Sequence, residues 1–336
     1  MRFLITGASG FIGFKLVNYL SKIYGKWSLQ LIAPLTNSHK KENKRYKILS
    51  KLGHDILKID LLEDSIDIND IKAFDVLFHL AAFTRTEVNS KKVRVNDIGT
   101  EKLLNALNPL LAGKKVIYAG SILGIEPHSL DKGTIKENHT CTPRTDYGTT
   151  KLKGELIIKK MAGDIGFKWF ILRLPTVYGP GYRPGGLFEV FPYNLKHNKF
   201  ATRLNWPGHI SLVYVDDVVK TLVFLAVKNK KNNEIYHIDS GENPSYDELL
   251  DKIAITIGVK RRKIKIPDTC WSFIRFFFWL PGLLLILPFP LRVIAWRISL
   301  LVTDGMVFDS TKLKRILPFK YTKLEKGLEL TYHSNI

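Results

Sequence analysis

The sequence predicts an α/β protein built on a doubly wound parallel sheet, with a smaller C-terminal lobe. Three observations carry that reading. Short apolar runs alternate with stretches of helical periodicity, the pattern of parallel strands joined by helices. Several runs are apolar at consecutive positions, as strands covered on both faces must be. A glycine-rich turn joins the first run to the first helical stretch. At 336 residues and 45% hydrophobic, the chain can bury a large core, and it carries too much apolar content for a disordered protein.

The elements follow in order. Phe3, Leu4 and Ile5 form a short apolar run that meets glycine at once. Phe11, Ile12, Leu16, Tyr19 and Leu20 recur at helical spacing. A second strand is expected over 29–32, the end of a third at 58–60, a fourth over 75–82, a fifth over 116–119 and a sixth over 170–173. Helices are expected over 99–107 and 147–162. Past Pro175 the chain is richer in Gly, Pro and aromatics and less regular. Residues 1–175 therefore read as a nucleotide-binding domain, and 176–336 as a substrate lobe interleaved with the core.

The net charge of +20 admits anionic partners. The lysines are spread along the whole chain, which favours a general lysine bias. No zinc-finger spacing or aromatic RNA-binding signature accompanies them, so nucleic acid is not an expected partner. Cys141 and Cys270 form neither a disulfide framework nor a metal site, and no metal is expected. A reducing cytoplasm is the natural compartment. No signal peptide fits, because the first residues already read as a strand running into a turn.

The turn Thr6-Gly7-Ala8-Ser9-Gly10-Phe11-Ile12-Gly13 follows a strand and opens a helix. Gly7 permits the tight turn, Gly10 lets the backbone approach a pyrophosphate, and Gly13 allows close helix–sheet packing. The free N–H groups of the helix N-terminus then face the phosphates. This is a Rossmann fold's dinucleotide signature. The usual ribose-binding acid is missing: the position falls on Ala33 or Pro34. His39, Lys40, Lys41, Lys44 and Arg45 follow, either to meet a 2′-phosphate or as a solvated loop. NAD and NADP both stay open.

Tyr147 and Lys151 are four apart at the start of a helix and share a face. A nearby ammonium favours a phenolate, which suits Tyr147 to proton exchange with a hydroxyl or carbonyl. Ser121 closes a core strand upstream.

With these residues the chain resembles the extended short-chain dehydrogenase/reductase family, the NAD(P)-dependent epimerases and dehydratases. The resemblance runs over essentially the whole length, through landmarks that arrive in order. They are the glycine turn, Asp60-Leu61, His79-Leu80-Ala81-Ala82, Asn96 before Gly99-Thr100, Ser121, Tyr147 with Lys151, the run from Arg173 through Pro175 to Gly181, Val215-Asp216-Asp217-Val218, and Phe308-Asp309-Ser310-Thr311-Lys312 with Leu317-Pro318. It implies hydride transfer at a secondary hydroxyl or carbonyl of a sugar-nucleotide or sugar-linked substrate. Tyr147 then moves the proton, Ser121 hydrogen-bonds the reacting oxygen, and Lys151 also holds the nicotinamide ribose. Ser9 and the turn glycines, Phe11, Ile12, Asp60, Leu61, Leu80, Ala81, Ala82, Asn96 and Pro175 are the implied cofactor contacts. Asp216 and Asp217 are expected to cap a helix.

Two departures bear on the substrate. Sugar 4,6-dehydratases of the family carry an Asp-Glu pair beside the serine; here Ile122 and Leu123 follow Ser121, which favours epimerase over dehydratase. The family's pyrophosphate-binding arginine before Val-Asp-Asp is absent from Gly208-His209-Ile210-Ser211-Leu212-Val213, which argues against a nucleotide-sugar substrate unless Arg183 or Arg203 substitutes.

Residues 276–291 contain no charge and are bracketed by Arg275 and Arg292, with Lys260-Arg261-Arg262-Lys263-Ile264-Lys265 upstream. A spanning helix needs about 20 apolar residues. This run is shorter, and Pro281, Pro288 and Pro290 interrupt it. The segment 271–302 therefore reads as a lid over a small-molecule substrate or as a peripheral membrane anchor. The anchor reading would favour a hydroxysteroid-type or other lipid alcohol dehydrogenase. A non-catalytic cofactor sensor is a third reading, opposed by the presence of both Tyr147 and Lys151. A homodimer is left open.

Overall fold

The computed structural model describes residues 1–33, 40–63, 65–85, 90–125, 135–229, 231–279, 288–304 and 307–333. The chain folds into two compact units: Met1–Ile125, Pro143–Leu174 and Val215–Tyr236 in the first, and Glu126–Thr142, Pro175–Tyr214 and His237–Ile336 in the second.

The first unit is organised by a parallel sheet. Its strands are β1 (Phe3–Thr6), β2 (Leu29–Ile32), β3 (Asp55–Leu57), β4 (Val76–His79), β5 (Lys115–Ser121) and β6 (Lys168–Leu174). After two short strands of the second unit, β7 (Thr176–Tyr178) and β8 (Leu212–Tyr214), comes β9 (Glu234–His237). The order across the sheet is β3-β2-β1-β4-β5-β6-β9. β1 pairs in parallel with β2 on one side and β4 on the other. The order thus reverses between β1 and β4, the switch point at which doubly wound sheets bind ligands beyond their strand ends. β1, β2 and β4 are buried at every position, which explains why they are apolar except at Thr6, Gln30 and His79.

Three differences from the sequence expectations have local causes. The third strand lies at Asp55–Leu57, one step before the expected 58–60, where Leu62 N–H bonding to Asp60 starts a turn instead. The fourth ends at His79, because its next residues must turn aside for Gly7. β9 went unread: it is short, and Glu234 and His237 break its apolar pattern.

Helices α1 (Phe11–Tyr24), α2 (Lys40–Lys51), α3 (Ile98–Leu111), α4 (Asp146–Ile165) and α6 (Val215–Val227) belong to this unit. α5 (Leu187–Lys196) belongs to the second. The Thr145 side chain caps α4 by accepting from Gly148 N–H, and Gly166 ends it in the left-handed conformation at φ 85°. Leu103, Leu104, Leu107 and Leu111 of α3 and Ile158 of α4 pack with Leu77, Val116 and Ile171 on one sheet face. Each such side chain contributes roughly 1.5–3 kcal/mol on full burial. Asp216 and Asp217 lie inside the first turn of α6 rather than at its cap. There they face the positive helix end; Asp217 is buried beside Lys220, and Asp216 lies 4.0 Å from Lys15.

The second unit contains the β7–β8 pair and α7 (Tyr246–Thr256), α8 (Asp268–Trp279), α9 (Phe289–Val302), α10 (Thr311–Lys314) and α11 (Leu324–His333). Ser245 and Glu248 form a reciprocal capping box on α7. Gly327 brings α11 against the Tyr178 ring so closely that a Cβ there would overlap it. Among the described residues no helix is long and apolar enough to cross a membrane. Part of the apolar segment, 280–287, lies outside the described residues, as do Pro34 and His39 of the ribose-side loop.

Candidate active site

The glycine turn sits at the switch point. Gly7 has φ +68°, and a Cβ there would lie 2.7 Å from Ala81 N. A Cβ on Gly13 would overlap the Gly7 carbonyl oxygen. The two glycines therefore lock the turn, the start of α1 and the exit of β4 together by backbone contact. Gly10 is the N-cap of α1, with no side chain capping it. Its first-turn N–H groups have no intrahelical acceptors and present a ready anion site, flanked by Ser9, Phe11 and Ile12. The residues fit a dinucleotide pyrophosphate: a bare backbone cradle, an uncapped helix end and no carboxylate in the turn.

A hydrogen-bonded chain runs behind this cradle. Ala81 N–H donates to Thr6 Oγ1 (3.2 Å), and Thr6 Oγ1 lies 2.7 Å from His79 Nδ1. His79 Nε2 lies 2.8 Å from Thr100 Oγ1, which donates to the Asn96 carbonyl (2.9 Å). Since Thr100 spends its proton on Asn96, His79 donates from Nε2, and Nδ1 is placed to accept from the Thr6 hydroxyl. That arrangement requires a neutral ring. Burial, reinforced by the charge of Lys151, pushes His79 down to about 3, consistent with that state.

Asn96 ends a short 3-10 turn (Lys91–Asn96) just ahead of α3, rather than lying in the helix body. Its amide is fully used. Oδ1 accepts from Phe83 N–H (3.0 Å), and Nδ2 donates to Phe83 O (3.1 Å) and Thr150 Oγ1 (3.2 Å). It ties the segment leaving β4, with Leu80, Ala81 and Ala82, to α4. Asp60 accepts from Leu62 N–H, and Leu61 is buried in the core beneath Gly99.

Ser121 is the last residue of β5, buried, with its oxygen accepting from Leu123 N–H at 3.2 Å. Tyr147 lies in the first turn of α4 and Lys151 one turn on. A Cβ on Gly148 would overlap the Leu123 carbonyl oxygen. The residue after Tyr147 thus abuts the residue two beyond Ser121, which brings the strand end and the helix start together. Gly154 similarly lets α4 close on Tyr118 and the Asn96 carbonyl.

That close approach buries Lys151 to 1% exposure. Its Nζ stands 4.0 Å from the Tyr118 ring centroid, a cation–π contact. Burial pulls Lys151 down to about 7, partly opposed by Glu155. Burial and Glu155 also push the Tyr118 phenol well above its usual range. Glu155 itself is clamped by Arg173, Nη2 to Oε2 at 2.8 Å, with both side chains buried.

Thr6, His79, Thr100, Tyr118, Thr150 and the Glu155–Arg173 pair are supporting residues that sequence reasoning missed. Thr6, His79, Thr100 and Arg173 stood inside quoted landmarks. Only spatial pairing shows what they hold. Pro175 follows β6 and opens the second unit. In that unit Arg183 lies between β7 and α5, Arg203 follows a 3-10 turn (Phe200–Thr202), and His209 Nδ1 pairs with Asp304 at 2.7 Å. Among the described residues no group of His, Cys, Asp and Glu is arranged to hold a metal.

A parallel sheet with a glycine cradle at its switch point, and a Ser, Tyr and Lys set at the neighbouring strand and helix ends, defines a short-chain dehydrogenase/reductase. Residues 3–239 match the model of the NAD dependent epimerase/dehydratase family, and the chain belongs to that family. A putative UDP-glucose 4-epimerase of Methanocaldococcus jannaschii is 30% identical over 274 residues, 78% of this chain and 84% of that one. A dTDP-glucose 4,6-dehydratase of Streptomyces niveus is 24% identical, over 80% of this chain and 81% of the other. Among solved structures, the UDP-glucuronic acid 4-epimerase of Bacillus cereus, in complex with UDP-glucuronic acid and NAD, superposes with TM-score 0.73. It is 21% identical, over 99% of this chain and 98% of that one. The family is that of NAD-dependent enzymes, and both epimerases and dehydratases are among these relatives.

Proposed function

We propose that the protein is an NAD-dependent epimerase that inverts a secondary hydroxyl of a nucleotide sugar. The observation that carries this is the meeting of Ser121, at the end of β5, with Tyr147 and Lys151, on the first turns of α4, through the Gly148–Leu123 backbone contact.

In this reading the uncapped α1 terminus at Gly10 holds the cofactor's pyrophosphate, with Gly7, Ser9, Phe11, Ile12 and Gly13 shaping the cradle. Leu80, Ala81 and Ala82 line the adjoining strand exit, Asp60 and Leu61 sit on the adenine side, and Pro175 on the nicotinamide side. Bound NAD would supply reversible hydride exchange with the carbinol carbon, which permits return of the hydride to the opposite face of the sugar. Tyr147 takes the hydroxyl proton as the carbonyl forms and gives it back on return. Ser121 donates a hydrogen bond to the same oxygen. Lys151, as an ammonium, favours the Tyr147 phenolate and hydrogen-bonds the ribose. Asn96, saturated by Phe83 and Thr150, keeps the strand exit and α4 in register.

Epimerisation is preferred over dehydration because Ile122 and Leu123 stand where an acid–base pair would be needed to expel water. A nucleotide sugar is preferred over a steroid or other lipid alcohol because the relatives above carry nucleotide-sugar names.

The test is incubation of the purified protein with NAD and a panel of UDP- and dTDP-hexoses, with products followed by proton NMR. Interconversion of 4-epimers is expected. Tyr147→Phe should lower the rate by about 10²–10⁴-fold while NAD binding persists. Formation of a deoxy-keto sugar would identify a dehydratase, and no turnover across the panel would reject the substrate class.

A further inference from the structure

The hairpin of α8 and α9 in the second unit has two unlike sides. Its inner side is anchored by tryptophan: Trp271 is buried against Trp206 with ring centroids 5.2 Å apart, and Trp296 is buried. Arg275 Nε donates to the Val302 carbonyl at 2.6 Å, tying α8 to the end of α9. The outer side is apolar and exposed. Phe273 (65%) and Phe276 (53%) lie three apart on α8, and Leu291 (52%) and Ile294 (54%) three apart on α9, so each pair shares a helix face. Four large apolar side chains, each more than half exposed on adjacent helices, mark a docking surface rather than scattered surface residues.

The charge of the sequence that carries these helices selects the occupant. Residues 260–302 contain eight Lys or Arg and one acid, Asp268. Asp247 and Asp251 neutralise Arg261 and Lys263 from α7. Lys260, Arg262 and Lys265 in the segment leading to α8, and Arg297 one turn beyond Ile294, are exposed. A second copy of the chain would bring like charge against like charge. An anionic bilayer offers an apolar interior for the Phe, Leu and Ile side chains and head groups for the cations.

We propose that the outer face of the α8–α9 hairpin docks the protein on an anionic lipid surface, inserting Phe273, Phe276, Leu291 and Ile294 at the head-group boundary. The docking stands apart from the epimerase reading and concerns residues outside the cofactor cradle.

The experiment is flotation of the full-length protein with vesicles of phosphatidylglycerol and phosphatidylcholine in roughly equal parts, and with phosphatidylcholine alone. Wild type should float with the anionic vesicles, and raising salt to about 0.5 M should weaken but not abolish the association. The variant Phe273→Ser/Phe276→Ser/Leu291→Ser/Ile294→Ser should partition at least about tenfold less, with an unchanged NAD-dependent shift in melting temperature to show that it folds. Lys260→Gln/Arg262→Gln/Lys265→Gln should lose the preference for anionic lipid. Failure of wild type to float overturns the proposal. So does a quadruple variant that floats as well as wild type, which would mean adsorption by charge alone. A wild-type dimer that ignores vesicles, and that the quadruple variant dissociates, would assign the face to a second copy and equally overturn it.

Discussion

Lys151 Nζ stands 4.0 Å from the Tyr118 ring centroid, sealed between α4 and β5 by the close approach that Gly154 permits. An ammonium in that position is expensive, and burial draws its pKa down to about 7. Perturbed groups of this kind cluster at functional sites, which supports the role proposed for Lys151.

Replacement of Lys151 separates the two roles. The unfolded chain holds the proton up to about 10.5, the folded chain only to about 7. The unfavourable contribution is therefore absent above the unfolded value, grows as pH falls, and is complete below about 7. Lys151→Met should abolish the proposed epimerase activity yet melt at or above the wild-type temperature at pH 6. The difference should shrink by pH 9–10. Thermal melts across that range check the sign.

His79 follows the same sign at lower pH, but its removal costs hydrogen bonds. Its folded pKa, about 3, lies below the unfolded value of about 6.5. Its neutral-state stability is fully present above about 6.5 and is lost as pH falls toward 3. His79→Phe orphans Thr6 and Thr100, at about 1–3 kcal/mol for each unsatisfied group. Urea unfolding at pH 7 should show that loss. At pH 4.5 the gap to wild type should narrow, because the wild type then suffers the cost of charging a buried imidazole.

At Gly13 there is no room for even a methyl group, since a Cβ meets the Gly7 carbonyl. Gly13→Ala should cost about 1–3 kcal/mol by overpacking and weaken NAD binding, because relief must come from the cradle itself. Calorimetric titration with NAD and a denaturation curve measure both.

The Glu155–Arg173 pair is buried on both sides. Removing one partner strands a charge, so Glu155→Gln should destabilise by about 3–5 kcal/mol. Glu155→Leu combined with Arg173→Met should recover most of it. A double-mutant cycle by chemical denaturation reads the coupling directly.

Much of the first unit was legible in the chain. β1, β2 and β4 announced themselves because both faces are covered and all but one position of each (Thr6, Gln30 and His79) are apolar. The cradle announced itself because only glycine satisfies the +68° φ of Gly7 and the backbone contact of Gly13. Tyr147 and Lys151 were singled out by their spacing, and Ser121 by its place at a strand end together with the family resemblance. His79, Thr6 and Thr100 were not: they lie on β4, β1 and α3, far apart in sequence, and a buried histidine looks the same on paper whether bonded or exposed. β9 escaped because polar residues interrupt so short a strand.

By itself, then, the sequence determined the alternation of strand and helix, the glycine turn and the Ser121, Tyr147 and Lys151 set proposed to react. These depend on local sterics and periodicity, which neighbouring residues specify. Only the tertiary structure decided that Asn96 serves as a brace rather than a free amide, that His79 is neutral, and that Lys151 is buried over Tyr118. Only it left Phe273, Phe276, Leu291 and Ile294 facing solvent. Burial, hydrogen-bond partners and the resulting charge states are set by which distant segments pack together, and no local pattern encodes them.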